Sequence, residues 1–241
     1  MSKFLLLQSR PEEQVSEDEF KAFCRFGNIN ESDVERLQMH LVQPKVDLSK
    51  YKAVLMGGGP ANFAYKDEEK SAEQKAFEPW LFSLLDEIID KRIPFFGACL
   101  GMGALITHAG GEMSLQMGEP VGAVKIRLQE DARNDDLLAG VPSEFSAFVG
   151  HKEGAWDIPD SVTVLASSET CAQLIKVGKC AYATQFHPEL DAPSLALRIK
   201  AYKHEGYFAP EEADELIAAA MQSDVDETAT LVLRNFVKRF S

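Results

Sequence analysis

A cysteine, a histidine and a carboxylate stand in this sequence in settings that suit thiol-based acyl transfer. Cys99 lies inside Gly97-Ala98-Cys99-Leu100-Gly101, entered from the apolar run Pro94-Phe95-Phe96 and left through Met102-Gly103-Ala104-Leu105. A strand that turns sharply into a helix at such a pentapeptide holds its central side chain exposed at the turn. The flanking glycines are expected where neighbouring backbone comes too close for a Cβ. A thiol placed there meets a helix N-terminus, whose dipole and free N–H groups favour a negative sulfur. A free cysteine is often no more than a small packing residue, so the assignment needs partners. They follow in Tyr182-Ala183-Thr184-Gln185-Phe186-His187-Pro188-Glu189, a β-prone run ending in a base with a carboxylate two residues on. Acyl transfer by cysteine needs one group to hold or take the thiol proton and another to orient that group. His187 and Glu189 supply these two roles. A third piece is Ala53-Val54-Leu55-Met56 running into Gly57-Gly58-Gly59-Pro60. Backbone without side chains at a strand end can offer an N–H to a developing oxyanion, beside that of the residue after the nucleophile. Read instead as a phosphate loop, it lacks the Lys-Ser/Thr of a Walker motif and the spacing of a dinucleotide fingerprint.

Strands and helices must hold these pieces together. Met1–Gln8 reads as a first buried strand, and Ser16-Glu17-Asp18-Glu19 fits a capping box that opens a helix toward Phe26. Leu37, Met39 and Leu41 alternate with polar residues, which predicts an edge strand over Arg36–Leu41 with His40 exposed. Phe77, Leu81, Leu84, Leu85 and Ile88 mark one face of a helix from about Ala72 to Asp90, kinked or restarted at Pro79. The helix after Cys99 is expected to stop at Gly110-Gly111, with His108 as a favourable charge at its end. From Met113 to Gln185 the chain is β-rich, with apolar runs at Ala123–Leu128, Val162–Ala166, Gln173–Val177 and Ala181–Phe186. Helical segments follow near Ser194–Tyr202, Glu211–Ala220 and Asp226–Phe240. Strands alternating with helices in the first half imply an α/β fold with a mostly parallel central sheet covered on both faces. Cys99 then sits at the carboxyl end of a central strand, where such sheets place ligands.

The three motifs, in this order and at roughly this spacing, resemble class I glutamine amidotransferases of the triad type, closest to the amidotransferase-domain branch of GMP synthase. The resemblance runs over nearly the whole chain to about Glu189, and it implies a flavodoxin-like sheet with extra C-terminal helices. It also implies Cys99 as nucleophile, His187 as general base and acid, Glu189 as orienter, and the N–H groups of Gly59 and Leu100 as oxyanion donors. Substrate contacts fall on Gly58, Gly103, and the main chain of Lys152 and Glu153 in Gly150-His151-Lys152-Glu153-Gly154. Many members carry Gln where this chain has Gly103, and losing a polar recognition group weakens selectivity for the amide. The implied reaction is hydrolysis of glutamine, or of a related γ-glutamyl amide, through a γ-glutamyl thioester. It requires no metal and no organic cofactor. The ammonia would pass to a separate synthetase subunit, or the protein would act alone on γ-glutamyl peptides and conjugates. A non-catalytic regulatory protein of the same fold is the further alternative, against which the intact triad counts.

Composition narrows the class. The chain has 241 residues, 45% hydrophobic and 26% charged, which suits one globular domain over residues 1–241. The helical stretch 190–241 is read as packed on that domain, and about residues 203–225 exceed what the family core requires. A formal net charge of −13 argues against nucleic acid, which wants a basic footprint. No apolar run approaches the roughly 20 residues of a membrane span. Cys24, Cys99, Cys171 and Cys180 are scattered without metal-ligand spacing. The cytoplasm is the expected compartment.

Overall fold

A computed structural model describes residues 3–241, the side chains at 131 and 133 excepted; Met1 and Ser2, the first two residues of the expected opening strand, lie outside the described part. The elements are β1 (Lys3–Gln8), α1 (Glu13–Gly27), β2 (Val34–Gln38), β3 (Tyr51–Met56), α2 (Ala72–Lys91), β4 (Phe95–Ala98) and α3 (Leu100–His108). There follow β5 (Glu112–Ser114), β6 (Glu119–Leu128), β7 (Glu144–His151), β8 (Gly154–Asp157), β9 (Val162–Ser167), β10 (Ala172–Val177) and β11 (Ala181–Thr184). Three helices close the chain, α4 (Ala192–Ala201), α5 (Ala213–Met221) and α6 (Thr230–Phe240).

Nine strands form one sheet in the order β2-β1-β3-β4-β11-β10-β9-β6-β7, and β5 pairs with β8 in a small second sheet. The first five strands of that order are mutually parallel. Beyond β11 every pairing is antiparallel. The parallel half therefore has the doubly wound 2-1-3-4-5 order, in which ligands bind beyond the carboxyl ends of the strands. Its inner strands β1, β3, β4 and β11 are largely buried because both faces are covered, while β2 is a partly exposed edge. Phe4, Leu6, Leu55 and Phe96 point into a core built with α1 and α6. Leu5, Leu7, Val54 and Phe95 point into the opposite core, built with α2 and α3. Each buried aliphatic or aromatic side chain contributes roughly 1.5–3 kcal/mol, enough for a double core to fix the register.

Several local expectations need correction. Helix α1 begins at Glu13 rather than at a Ser16 cap, and Ser16 and Glu19 are buried within it. The Ser-x-x-Glu spacing is an accident of two inward-facing positions. Strand β2 ends at Gln38, so Leu41 is exposed and His40 half-buried rather than the reverse. Helix α2 runs unbroken through Pro79; one missing N–H costs a single ladder bond, and the buried stripe from Phe77 to Ile88 outweighs it. Among the described residues no helix is long and apolar enough to cross a membrane.

Candidate active site

The turn from β4 into α3 puts Cys99 in a conformation that L-residues avoid, φ 52° and ψ −84°. Holding it costs about 1–3 kcal/mol, and such strain persists only where the surroundings impose it. Two features do so. The Cys99 N–H donates to the Thr184 carbonyl at 2.7 Å, tying the end of β4 to the end of β11. A Cβ on Gly97 would lie 2.7 Å from the Gly101 Cα, so the returning helix packs directly on the strand. The close approach is one-sided: a Cβ on Gly101 would touch only the Met56 sulfur, at 4.0 Å. Both glycines were expected to lack room, and only Gly97 does.

Strand β11 delivers the second motif. His187 Nδ1 and Glu189 Oε1 are 2.7 Å apart, and both side chains are buried. Burial opposes a charge on His187, yet the Glu189 carboxylate, joined by Cys99, pushes the imidazole up to about 9. Burial likewise works against a charged Glu189, but His187 opposite it holds the carboxyl below its ordinary range. Gln185 reaches the sulfur of Cys99 with its amide nitrogen at 3.8 Å. Cys99, His187, Gly59, Arg10, Arg198 and Tyr207 all line one cavity at the strand ends.

The glycine loop is held from below. The buried Glu19 carboxylate of α1 accepts from Gly58 N at 3.2 Å, Arg10 Nε at 2.8 Å and Gln8 Nε2 at 3.1 Å. Gly57 N donates to Leu7 O at 3.0 Å, and Gly58 O accepts from the Ser9 hydroxyl at 3.1 Å. Both polar groups of Gly58 are thus committed to the fold. Gly59, the next residue, borders the cavity beside Cys99. Leu100 is the first residue of α3, so its N–H has no partner within the helix.

Around Gly103 the arrangement differs from what an absent side chain suggests. A Cβ there would lie 2.6 Å from the Phe63 ring and 2.9 Å from Glu153 Oε1. The space is filled. Glu153 is buried and accepts from Phe63 N at 3.0 Å and Ala64 N at 2.6 Å. Burial pushes its carboxyl up to about 7, against the opposing pull of those two N–H groups. Its own loop is pinned by His151, whose two ring nitrogens meet the Glu153 carbonyl at 2.7 Å and Glu119 Oε2 at 3.0 Å. Both ring nitrogens of His151 are thus engaged by oxygens of the surrounding loops. Gln173 Nε2 adds a bond to Glu119 at 2.6 Å. Cys171 brings its sulfur to the same place, so that single ligand atoms of Glu119, His151 and Cys171 lie within 4.8 Å of one another. This buried cluster is distinct from Cys99, His187 and Glu189. Lys152 points away from Gly103: its ammonium donates to the Glu205 carbonyl at 2.6 Å and lies 4.5 Å from the Tyr207 ring centroid.

Sequence reading missed Arg10, Glu19, Gln185 and Arg198. Gln185 carried a usable signal, standing two residues before His187 in the same motif. The others become neighbours only through the fold.

Known proteins resemble this chain in sequence and in fold. The glutamine-hydrolyzing GMP synthase subunit of Methanococcus maripaludis is 38% identical over 104 residues, which are 42% of this chain and 53% of that protein. The same-named subunit of Methanocaldococcus jannaschii is 28% identical over 141 residues, 58% of this chain and 65% of its own length. The chain thus spans between half and two thirds of the length of these relatives. A crystal structure of a glutamine amidotransferase from Thermotoga maritima superposes with a TM-score of 0.77 at 24% identity, covering 100% of this chain and 98% of that one, a likeness of fold. Residues 20–194 match the family described as glutamine amidotransferase class-I, and the chain belongs to that family.

Proposed function

We propose that the protein hydrolyses a γ-glutamyl amide, glutamine in the simplest case, with Cys99, His187 and Glu189 as a triad. The observation that carries this reading is the buried His187–Glu189 pair at 2.7 Å, opening on the same cavity as a strained Cys99 at a helix N-terminus. The Cys99 sulfur attacks the γ-carbonyl carbon, and the resulting oxyanion is received by the N–H groups of Gly59 and Leu100. An oxyanion donor of this kind is worth about 10²–10³ in rate. His187, charged below about 9, gives its proton to the leaving amine as the C–N bond breaks. Water, deprotonated by His187, then adds to the thioester and releases glutamate. Glu189 keeps the ring oriented and stabilises its charge.

The relatives named as glutamine-hydrolyzing GMP synthase subunits favour a separate synthetase as consumer of the ammonia. The test is direct. The purified chain is incubated with glutamine and with γ-glutamyl peptides, by itself and together with the synthetase partner of a GMP synthase, while glutamate release is followed. Release that Cys99→Ser abolishes supports the reading; no release under any condition overturns it.

A further inference from the structure

The cavity beside Cys99 is walled on one side by Val121, Val149, Leu190, Leu195, Ile199 and Phe208. Gly103 and Glu153 are not among its lining residues, so it lies apart from the filled space around Gly103. His187 is in its wall, which makes it the space into which a protonated amine departs. Ammonia needs no such chamber: an apolar wall around a small polar product contributes nothing to holding it.

The closing side comes from the stretch after α4. Tyr207 and Phe208 border the cavity, and Tyr202 packs against Tyr207 with the rings tilted and 6.1 Å between centroids. Lys152 secures this stretch from the facing loop through its bond to Glu205 and its contact with the Tyr207 ring. Tyr202 is itself fixed, accepting from Arg10 at 2.9 Å and donating to Glu12 at 3.0 Å. The wall is built.

One buried edge of this wall makes no hydrogen bond inside the protein. Arg198 of α4 is 5% exposed and lines the cavity. Its Nη1 donates to Asp18 at 2.7 Å and to the Ser194 carbonyl at 3.1 Å. Its Nε and Nη2 are buried and unpartnered. Those two nitrogens form one edge of the guanidinium fork, the edge that takes a carboxylate side-on with two parallel bonds. Leaving buried donors unmet is costly, the more so on a charged group, so an edge like this is retained where something complements it. Arg10, the other cation of the wall, gives its Nε to Glu19 and its Nη1 to Tyr202.

We propose that the preferred substrate is a γ-glutamyl derivative of an apolar amino acid, its side chain against the aliphatic wall and its α-carboxylate on the Nε–Nη2 edge of Arg198. This rests on the hydrolase reading above and names the leaving group. The bond between the γ-carbonyl carbon and the amino acid nitrogen breaks as the Cys99 sulfur bonds to that carbon, and the nitrogen takes its proton from His187. Water then cleaves the thioester, giving glutamate and the free apolar amino acid.

Three substrates of the purified full chain decide it: γ-glutamyl-leucine, γ-glutamyl-isoamylamide, which keeps the branched chain but lacks the carboxylate, and glutamine. The expected result is a kcat/KM for γ-glutamyl-leucine about tenfold or more above each of the others, the worth of one charged hydrogen bond. In Arg198→Met the ratio of leucine to isoamylamide substrates should fall toward one, and Arg198→Lys should recover part of it. The ratio within one preparation is unaffected by how much of the variant folds. Equal rates for the two larger substrates, or glutamine as the best, would overturn this inference and leave the hydrolase reading standing. Turnover of none of the three, with the synthetase partner present or absent, would remove the hydrolase reading itself.

Discussion

His187 carries two opposed influences, and their balance makes a prediction about pH. Burial alone would keep the ring neutral, while Glu189 and Cys99 raise it from 6.5 to about 9. A raised histidine contributes stability that is complete below its unfolded value and fades as pH rises through its folded value. The window here runs from 6.5 to about 9. Glu189→Gln removes the charge that holds the proton, so the loss of stability across that window should be smaller and end at lower pH, as urea unfolding of both proteins would register. The same variant should keep weak activity, whereas His187→Ala should cost on the order of 10²–10⁴ in kcat. Gly103 gives a second prediction. Because Phe63 and Glu153 occupy the space beside it, Gly103→Gln should overpack the site, at about 1–3 kcal/mol, and lower kcat/KM. A gain in glutamine turnover at undiminished thermal stability would contradict this. Cys99, His187 and Glu189 were legible as residues because each motif is contiguous in the chain. Arg10, Glu19 and Arg198 were not, since nothing in sequence pairs residue 10 with 19 and 202, or 198 with 18.

At the scale of elements, α1 matters more to the site than its spacing suggested. It carries Glu19 beneath the glycine loop, where one carboxylate fixes Gly58, Arg10 and Gln8. Glu19→Ala would leave the buried Arg10 guanidinium short of its counter-charge, and breaking such a pair costs about 3–5 kcal/mol. The expected outcome is a large drop in the unfolding midpoint, with reduced kcat in whatever folds because the Gly59 N–H loses its support. A midpoint within a degree or two of the parent would show that the loop is held by something else. Helix α1 was foreseen, but its start was misplaced, because a buried Ser and Glu three residues apart imitate a capping box. The stop of β2 at Gln38 escaped notice for a similar reason: Leu41 continues the alternation of Leu37 and Met39 but faces solvent.

Across the whole molecule, the parallel half was readable from its alternation of strands and helices, since only covered strands can be apolar on both faces. The antiparallel half was readable as strands and not as pairings. Its order β10-β9-β6-β7 joins two pairs of chain neighbours through a single pairing of β9 with β6 that skips β7 and β8, and that order carries the loop with His151 and Glu153 to the side of α3. The extra residues after α4 were visible as surplus length; that Tyr207 and Phe208 wall the cavity became clear only in three dimensions. The fold also separates the four thiols. Burial pushes Cys24 and Cys171 up to about 12 and raises Cys180, while Cys99 alone shares a cavity with His187. The central claim is that this one sulfur takes up the γ-glutamyl group, and peptide mass spectrometry of enzyme quenched in acid during turnover tests it most directly. The account predicts a γ-glutamyl thioester on the peptide containing Cys99, absent in Cys99→Ser. An adduct on Cys24, Cys171 or Cys180, or continued turnover by Cys99→Ser with no adduct, would contradict it.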